Sequence, residues 1–316
     1  MYPGHRVVKM PNSATSCPII GIGGWAPNFG EERTTKAKKW FLSALKNGYR
    51  HIDTAYSYGL GETIFVDSWI NTRTGTEKAV GEAIIESGIP REDIFVVSKL
   101  PSHHHGRVLE SIQESLDNLG FKWLDMYLMH WPFSAPYELE GEEPRPLPTI
   151  AETWAGMEEA LRRSKCEAIG VSNFSIKTLE EVMKNKRVKP AMNQVEMHPY
   201  LQQNDLLEFC RKHDIAVVAY NPSGTDIVRK DPVIVELAAK YNVTPTQIIL
   251  AWHLSRNVVV IPKSTNEERQ KENHNLPTLE EEDLKKINAL DRGQRICNKG
   301  DENGLVYGMS IEDLGW

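Results

Sequence analysis

Eight short apolar runs rich in β-forming residues alternate with longer amphipathic stretches along the 316 residues, and the first run is followed by GIGGWAPNFG rather than a GxGxxG turn. Together these predict an α/β chain closed into a single (β/α)8 TIM barrel, not an open doubly wound sheet. No composition shift, Pro/Ser-rich linker or internal repeat divides the sequence. One domain is therefore expected over 1–316, with an inserted segment at 60–75. A Gly- and Asn-rich, non-helical tail from about residue 291 is expected to lie over the pocket.

The elements follow in order. The first strand, 19–23, leads to a helix over 35–47; strand 50–53 leads to helix 77–87, and strand 94–99 to helix 107–119. Gly48, Gly88 and Gly120 stand just past these helices, where a left-handed residue commonly ends one. Strand 126–130 precedes helix 150–164, strand 168–172 precedes helix 176–185, and strand 192–196 precedes helix 204–213. Strand 216–220 is followed by helices over 232–241 and 246–256, and strand 258–262 completes the set. Asn204 and Thr246 are candidate caps.

Composition narrows the function class. Lys and Arg number 37 against 43 Asp and Glu, a net charge of −6, so neither nucleic acid nor an anionic membrane surface is the expected partner. With 40% hydrophobic and 25% charged residues the chain has the balance of a folded soluble protein. Cys17, Cys166, Cys210 and Cys297 are widely spaced and read as reduced thiols. The N-terminal stretch lacks an apolar core, and the longest apolar run, 215–220, is too short to span a bilayer. A cytoplasmic monomer is expected.

In such a barrel, chemistry gathers at the C-terminal ends of the strands. Asp53 ends the second strand, with Tyr58 in the loop beyond; Lys99 ends the third and His130 the fourth. Ser172 and Asn173 close the fifth, Gln194 and Glu196 lie on the sixth, Tyr220 ends the seventh, and Lys263 and Ser264 follow the eighth. A tyrosine beside an ammonium should have a lowered pKa and serve as a proton donor. The aspartate would compensate the buried lysine, and the histidine would orient an oxygen. A tyrosine acid with no nucleophile and no metal triad suits protonation of a carbonyl reduced by hydride from a bound cofactor.

HIDTAYSYG (51–59), VVSKL (96–100), LMHWP (128–132), GVSNF (170–174), NQVEMHPYLQQ (193–203) and VIPKSTNEERQKEN (260–273) resemble, in family order, the signatures of the aldo-keto reductases. The resemblance implies a (β/α)8 barrel that binds NADPH without a Rossmann fold and reduces aldehydes and ketones. It makes Asp53, Tyr58, Lys99 and His130 the catalytic tetrad, with Tyr58 the general acid. It assigns Ser172, Asn173 and Gln194 to the nicotinamide carboxamide and Tyr220 to the nicotinamide ring, and counts the adjoining Asn221 among the cofactor-binding residues. Lys263, Ser264, Arg269 and Asn273 are assigned to the adenosine 2′-phosphate and adenine. Trp25 and Trp131 would line the substrate pocket with Tyr58 and His130. The GIGGW start and SIEDLGW end are similar to fungal members described as glycerol dehydrogenases or aldehyde reductases. The implied substrates are small aldehydes or sugar-derived carbonyls; a catalytically weak, NADPH-binding regulatory barrel is the alternative.

The sequence also departs from the family pattern. LGETIFVDSWINTRTG (60–75) interrupts the usual step from the acid tyrosine to TEKAVGEAI. It reads either as an apolar lid or as an extraneous insertion, and excision regenerates the family spacing, which favours the second. Asn221–Pro222–Ser223–Gly224, followed by a charged stretch, replaces Ser-Pro-Leu-Gly-Ser, and Pro101 stands where members carry a pocket Trp. Other features have plain readings. His103, His104 and His105 are adjacent in a loop and should diverge rather than hold a metal. Glu138, Glu140, Glu142 and Glu143 suit a solvated loop, Glu280–Asp283 the acidic first turn of an exposed helix, and Trp154, Met157 and Leu161 the core.

Overall fold

The computed structural model describes residues 6–11, 15–25, 33–58, 76–136, 147–184 and 186–316. The insertion at 60–75 and the glutamates at 138–143 lie outside these described residues. Strands β1 (Val7–Lys9) and β2 (Ser16–Pro18) pair antiparallel ahead of the barrel. Three-residue strands are too short to show a period, so this hairpin leaves no mark in the sequence pattern.

Eight parallel strands then follow in sequential order: β3 (Ile22–Gly23), β4 (His51–Asp53), β5 (Phe95–Leu100), β6 (Met126–Met129), β7 (Ile169–Ser172), β8 (Met192–Glu196), β9 (Ala216–Tyr220) and β10 (Val259–Val260). The last returns to the first. Ile20 bridges Val260 in parallel, Gly21 N donates to Val260 O at 2.8 Å, and Gly23 N to Pro262 O at 3.2 Å. Closure pairs the two edge strands of the eight-stranded sheet with each other, and the expected barrel is observed. Gly24 shows why glycine follows β3: its amide donates to Asp53 O at 2.7 Å, and a Cβ there would lie 2.6 Å from that oxygen.

The surrounding helices are α1 (Arg33–Lys46), α2 (Thr76–Ser87), α3 (Val108–Leu119), α4 (Ile150–Arg162), α5 (Ile176–Lys184), α6 (Asn204–Lys212), α7 (Thr225–Arg229), α8 (Pro232–Tyr241), α9 (Pro245–Ser255), α10 (Glu267–Glu272), α11 (Glu281–Asn288) and α12 (Ile311–Leu314). Gly48, Gly88 and Gly120 do take positive φ. Four local expectations need correction. Thr244, in a capping box with Gln247, opens α9 instead of Thr246, and Pro245 takes the first helical position. Gln203, whose side chain makes no capping bond, precedes α6, so Asn204 is its first residue and not its cap. Asp283, expected on an exposed turn, is buried and accepts from Lys240 Nζ at 2.6 Å and Tyr241 Oη at 2.7 Å.

The tail is the fourth. It contains a short hairpin, β11 (Leu305–Val306) with β12 (Met309–Ser310), and then α12, whose first turn Ser310 caps from Asp313 N at 3.0 Å. Tertiary packing explains this helix: Leu314 and Val306 are buried with Trp131 and Phe133 in a small cluster at the C-terminal end of β6. The main core fills the barrel and the space beneath its helices, including Trp154 and Met157 with Leu161 at its edge. A second cluster of Ile234, Leu237, Trp252 and Ile287 seats α8, α9 and α11. No helix among the described residues is long and apolar enough to cross a membrane.

Candidate active site

Strand register brings the tetrad together. Asp53 pairs with Val97 across β4 and β5, which carries Lys99 two residues beyond it toward the same barrel mouth. Lys99, fully buried, donates from Nζ to Asp53 Oδ1 at 2.6 Å, to Thr54 O at 2.9 Å and to Tyr58 Oη at 3.2 Å. The Tyr58 and His130 rings meet edge-on with centroids 5.8 Å apart. Gln194 Nε2 donates to Asp53 Oδ2 at 2.6 Å, so both carboxylate oxygens are engaged.

The electrostatics correct one expectation. The Tyr58 phenol is pushed well above its ordinary value rather than down, first by burial of its hydroxyl and then by the Asp53 charge. Asp53, 2.6 Å from the ammonium, offsets the field that would have favoured phenolate. Burial also lowers Lys99, against the pull of Asp53. His130 is held well below the usual imidazole range by burial, then by Lys99 and His105. At neutral pH the mouth therefore presents a protonated phenol and a neutral imidazole.

Ser172, Asn173, Gln194 and Tyr220 also converge, but on one another. Ser172 Oγ donates to Gln194 O at 2.9 Å; Asn173 Nδ2 donates to His130 O at 3.0 Å; Tyr220 Oη donates to Asn173 Oδ1 at 2.8 Å. Asn173 and Asn221 both have positive φ, which asparagine tolerates better than most residues. Asn221 Nδ2 is buried and, among the described residues, meets no hydrogen-bonding oxygen or nitrogen; it lies beside the Cys297 thiol. The charged stretch after Gly224 forms the short helix α7, with Asp226 paired to Arg229 and Lys230.

At the eighth strand, Lys263 lies 5.4 Å from the Trp40 ring centroid, and Ser264 Oγ donates to Asn266 O at 3.1 Å. Asn266 caps α10 by accepting from Arg269 N. Among the described residues no carboxylate lies within ion-pair distance of Lys263 or Arg269, whereas the neighbouring Lys271 is paired to Glu267 and Glu268. Asn273 is buried beside the hydroxyl of Tyr49, which donates to Gln270 O at 3.1 Å.

On the substrate side Trp131 contacts Phe133, Tyr307 and Trp316 at centroid distances of 5.7, 5.2 and 5.7 Å. Trp25 is 60% exposed and, among the described residues, makes no ring contact with this group. Asn298 and Tyr307 reach the site from a tail with no motif to announce them; Asn298 Nδ2 donates to Tyr220 Oη at 2.9 Å. The three adjacent histidines diverge only in part: the His103 and His104 rings meet edge-on with centroids 4.2 Å apart, while His104 Nδ1 faces Ser111 Oγ at 2.9 Å and His105 Nδ1 faces Ser134 Oγ at 3.2 Å. No metal-holding cluster of three candidate ligands occurs among the described residues.

Comparison with known proteins gives the family. Residues 19–292 match the aldo/keto reductase family. The chain is 38% identical over 311 residues to glycerol 2-dehydrogenase (NADP(+)) of Saccharomyces cerevisiae, covering 92% of this chain and 93% of that one. It is 35% identical over 299 residues to glyoxal reductase of Bacillus subtilis, covering 93% and 96%. Among solved structures, a Bombyx mori aldo-keto reductase in complex with NADP superposes with a TM-score of 0.78 at 30% identity, over 92% of this chain and 94% of that one. A closed eight-stranded barrel carrying Asp53, Tyr58, Lys99 and His130 at its C-terminal mouth, and a family match across most of its length, make this chain a member of the aldo/keto reductase family.

Proposed function

We propose that this protein reduces small aldehydes and sugar-derived carbonyls to alcohols with NADPH, and that Tyr58 delivers the proton. The observation that carries the reading is Lys99, ion-paired to Asp53 at 2.6 Å and within 3.2 Å of the Tyr58 hydroxyl. The residues present suit the cofactor. Lys263 and Arg269 offer cations that no carboxylate among the described residues pairs with, suited to a phosphate dianion, and Asn221 offers a buried amide with a hydrogen to donate. When bound, NADPH supplies the hydride.

The chain's own residues do the rest. Tyr58 gives its proton to the carbonyl oxygen, and the raised phenol pKa keeps that proton in place until the oxygen becomes basic. Lys99 faces the phenolate left behind, and Asp53 and Thr54 O hold the ammonium in place. Neutral His130 orients the carbonyl oxygen, while Trp131 with Tyr307 and Trp316 forms an apolar wall. One catalytic unit with its tail, at work in the cytoplasm, belongs to the same proposal. The test follows NADPH absorbance with purified protein over glyceraldehyde, xylose, methylglyoxal and benzaldehyde. Turnover of small aldehydes is expected. Tight NADPH binding with no oxidation across the panel would instead select the regulatory barrel.

A further inference from the structure

One directed hydrogen-bond chain crosses the C-terminal end of the barrel. Tyr307 Oη donates to Asn298 Oδ1 at 3.2 Å, Asn298 Nδ2 to Tyr220 Oη at 2.9 Å, Tyr220 Oη to Asn173 Oδ1 at 2.8 Å, and Asn173 Nδ2 to the carbonyl of His130 at 3.0 Å. Every link has a fixed polarity, because an amide nitrogen can only donate and an amide oxygen only accept. Asn298 is the one member that touches both the tail and the end of β9. Its φ of +49° is a conformation that asparagine and aspartate tolerate better than other side chains.

The segment carrying Asn298 is docked from below and from the side. Glu196, fully buried at the end of β8, accepts the backbone amides of Ile296 at 2.7 Å and Cys297 at 2.8 Å. The Arg295 guanidinium lies 3.6 Å over the Trp316 ring, which packs on Trp131. The buried carboxylate thus sets the height of the tail, and the indole stack sets its lateral position.

We propose that Asn298 is a positioning residue for the cofactor: from the docked tail it fixes the hydroxyl, and so the ring, of Tyr220. This rests on the reading that Tyr220 carries the nicotinamide ring. Cofactor affinity then depends on tail docking, and reciprocity requires NADPH to tighten the tail by the same factor.

Asn298→Asp tests the idea with little change of shape. It keeps an acceptor for Tyr307 and tolerates the left-handed backbone, but it cannot donate. The Tyr220 hydroxyl must then either turn its lone pair to a carboxylate or rotate toward it and abandon Asn173. NADPH binding, read by quenching of protein fluorescence, should weaken about five- to tenfold in Asn298→Asp and in Tyr220→Phe. The double variant should lose no more than Tyr220→Phe alone, since losing the Tyr220 hydroxyl already removes the bond that Asn298→Asp alters. In the wild type, amide exchange over 296–307 should slow on adding NADPH, and Asn298→Asp should remove most of that protection. Unchanged NADPH affinity in Asn298→Asp, or fully additive losses in the double variant, overturns the proposal. Tyr220→Ala separates the layers. If it leaves NADPH affinity intact, the reading of Tyr220 falls and the proposal with it; if it weakens NADPH while Asn298→Asp does not, the proposal alone falls.

Discussion

Removing residues 60–75 should yield a more stable and at least equally active enzyme. The two ends of the connection are already joined: Thr76 N donates to Tyr58 O at 3.1 Å, and the Thr76 and Thr54 hydroxyls meet at 2.8 Å. Downstream, Glu77 is buried and accepts from Ser98 Oγ at 2.5 Å and Asn118 Nδ2 at 2.9 Å, which fixes the start of α2 against β5 and α3. Excision leaves Gly59 alone to span from Tyr58 to Thr76, and a three-residue turn closes with just such an i to i+2 bond. Treated as plain chain closure, a connection of roughly 17 residues costs about 2.5 kcal/mol that a single residue does not. For a barrel of this size that corresponds to a rise of about 4 °C in melting temperature. The assay compares melting temperature, soluble yield and aldehyde turnover of the full and shortened chains. A shortened protein that folds yet reduces no aldehyde, or that melts lower, would refute the reasoning and establish the segment as a working part of the site.

Tyr58→Phe removes the transferable proton and should lower turnover by about 10²-fold or more while NADPH affinity stays near wild type; retention of more than roughly a tenth of the rate would show that Tyr58 is not the acid. Neutralising Lys263 or Arg269 should weaken NADPH about ten- to hundredfold and NADH far less, because the 2′-phosphate distinguishes them; equal losses would misplace the adenosine end. Stability should fall on mild acidification. Burial holds His51 down to about 4 and His253 to about 3, so between pH 6.5 and those values the unfolded chain takes up protons that the native state refuses. Stability is therefore full above about pH 6.5, and at pH 5 His51 alone costs about 2 kcal/mol. Urea midpoints at pH 7 and pH 5 should show the fall, with His51→Gln reducing it; a pH-independent midpoint contradicts the assignment. The rate of reduction should be flat from about pH 6 to 9, since the phenol stays protonated and His130 neutral; a descending limb centred near pH 7 would contradict the raised phenol.

Much of the barrel was legible because its signals are local. Strands β8 and β9 and helix α8 carry the bounds their patterns imply, and Gly48, Gly88 and Gly120 end helices where left-handed backbone is needed. The candidate tetrad was legible in part for a related reason: Asp53, Lys99 and His130 are polar residues at the ends of apolar strands, which mark the barrel mouth, whereas Tyr58 lies in a loop and took its role from the family resemblance. Misplaced caps such as Thr246 for Thr244 reflect near-equal local alternatives, which the reciprocal bond of Gln247 settles.

The sequence by itself determined the alternation of strand and helix, the closed barrel that follows from it, and which polar side chains stand at its strand ends. Backbone hydrogen bonding and apolar periodicity act within a few residues and leave a readable pattern. Only the tertiary structure decided the rest. It turned the Tyr58 phenol upward, because the effect of Lys99 depends on how closely Asp53 compensates it. It left Trp25 exposed and brought Asn298, Tyr307 and Trp316 to the site instead. Those contacts join residues 78 to 185 positions apart, and their energy comes from burial and hydrogen bonds that exist only once the barrel has formed.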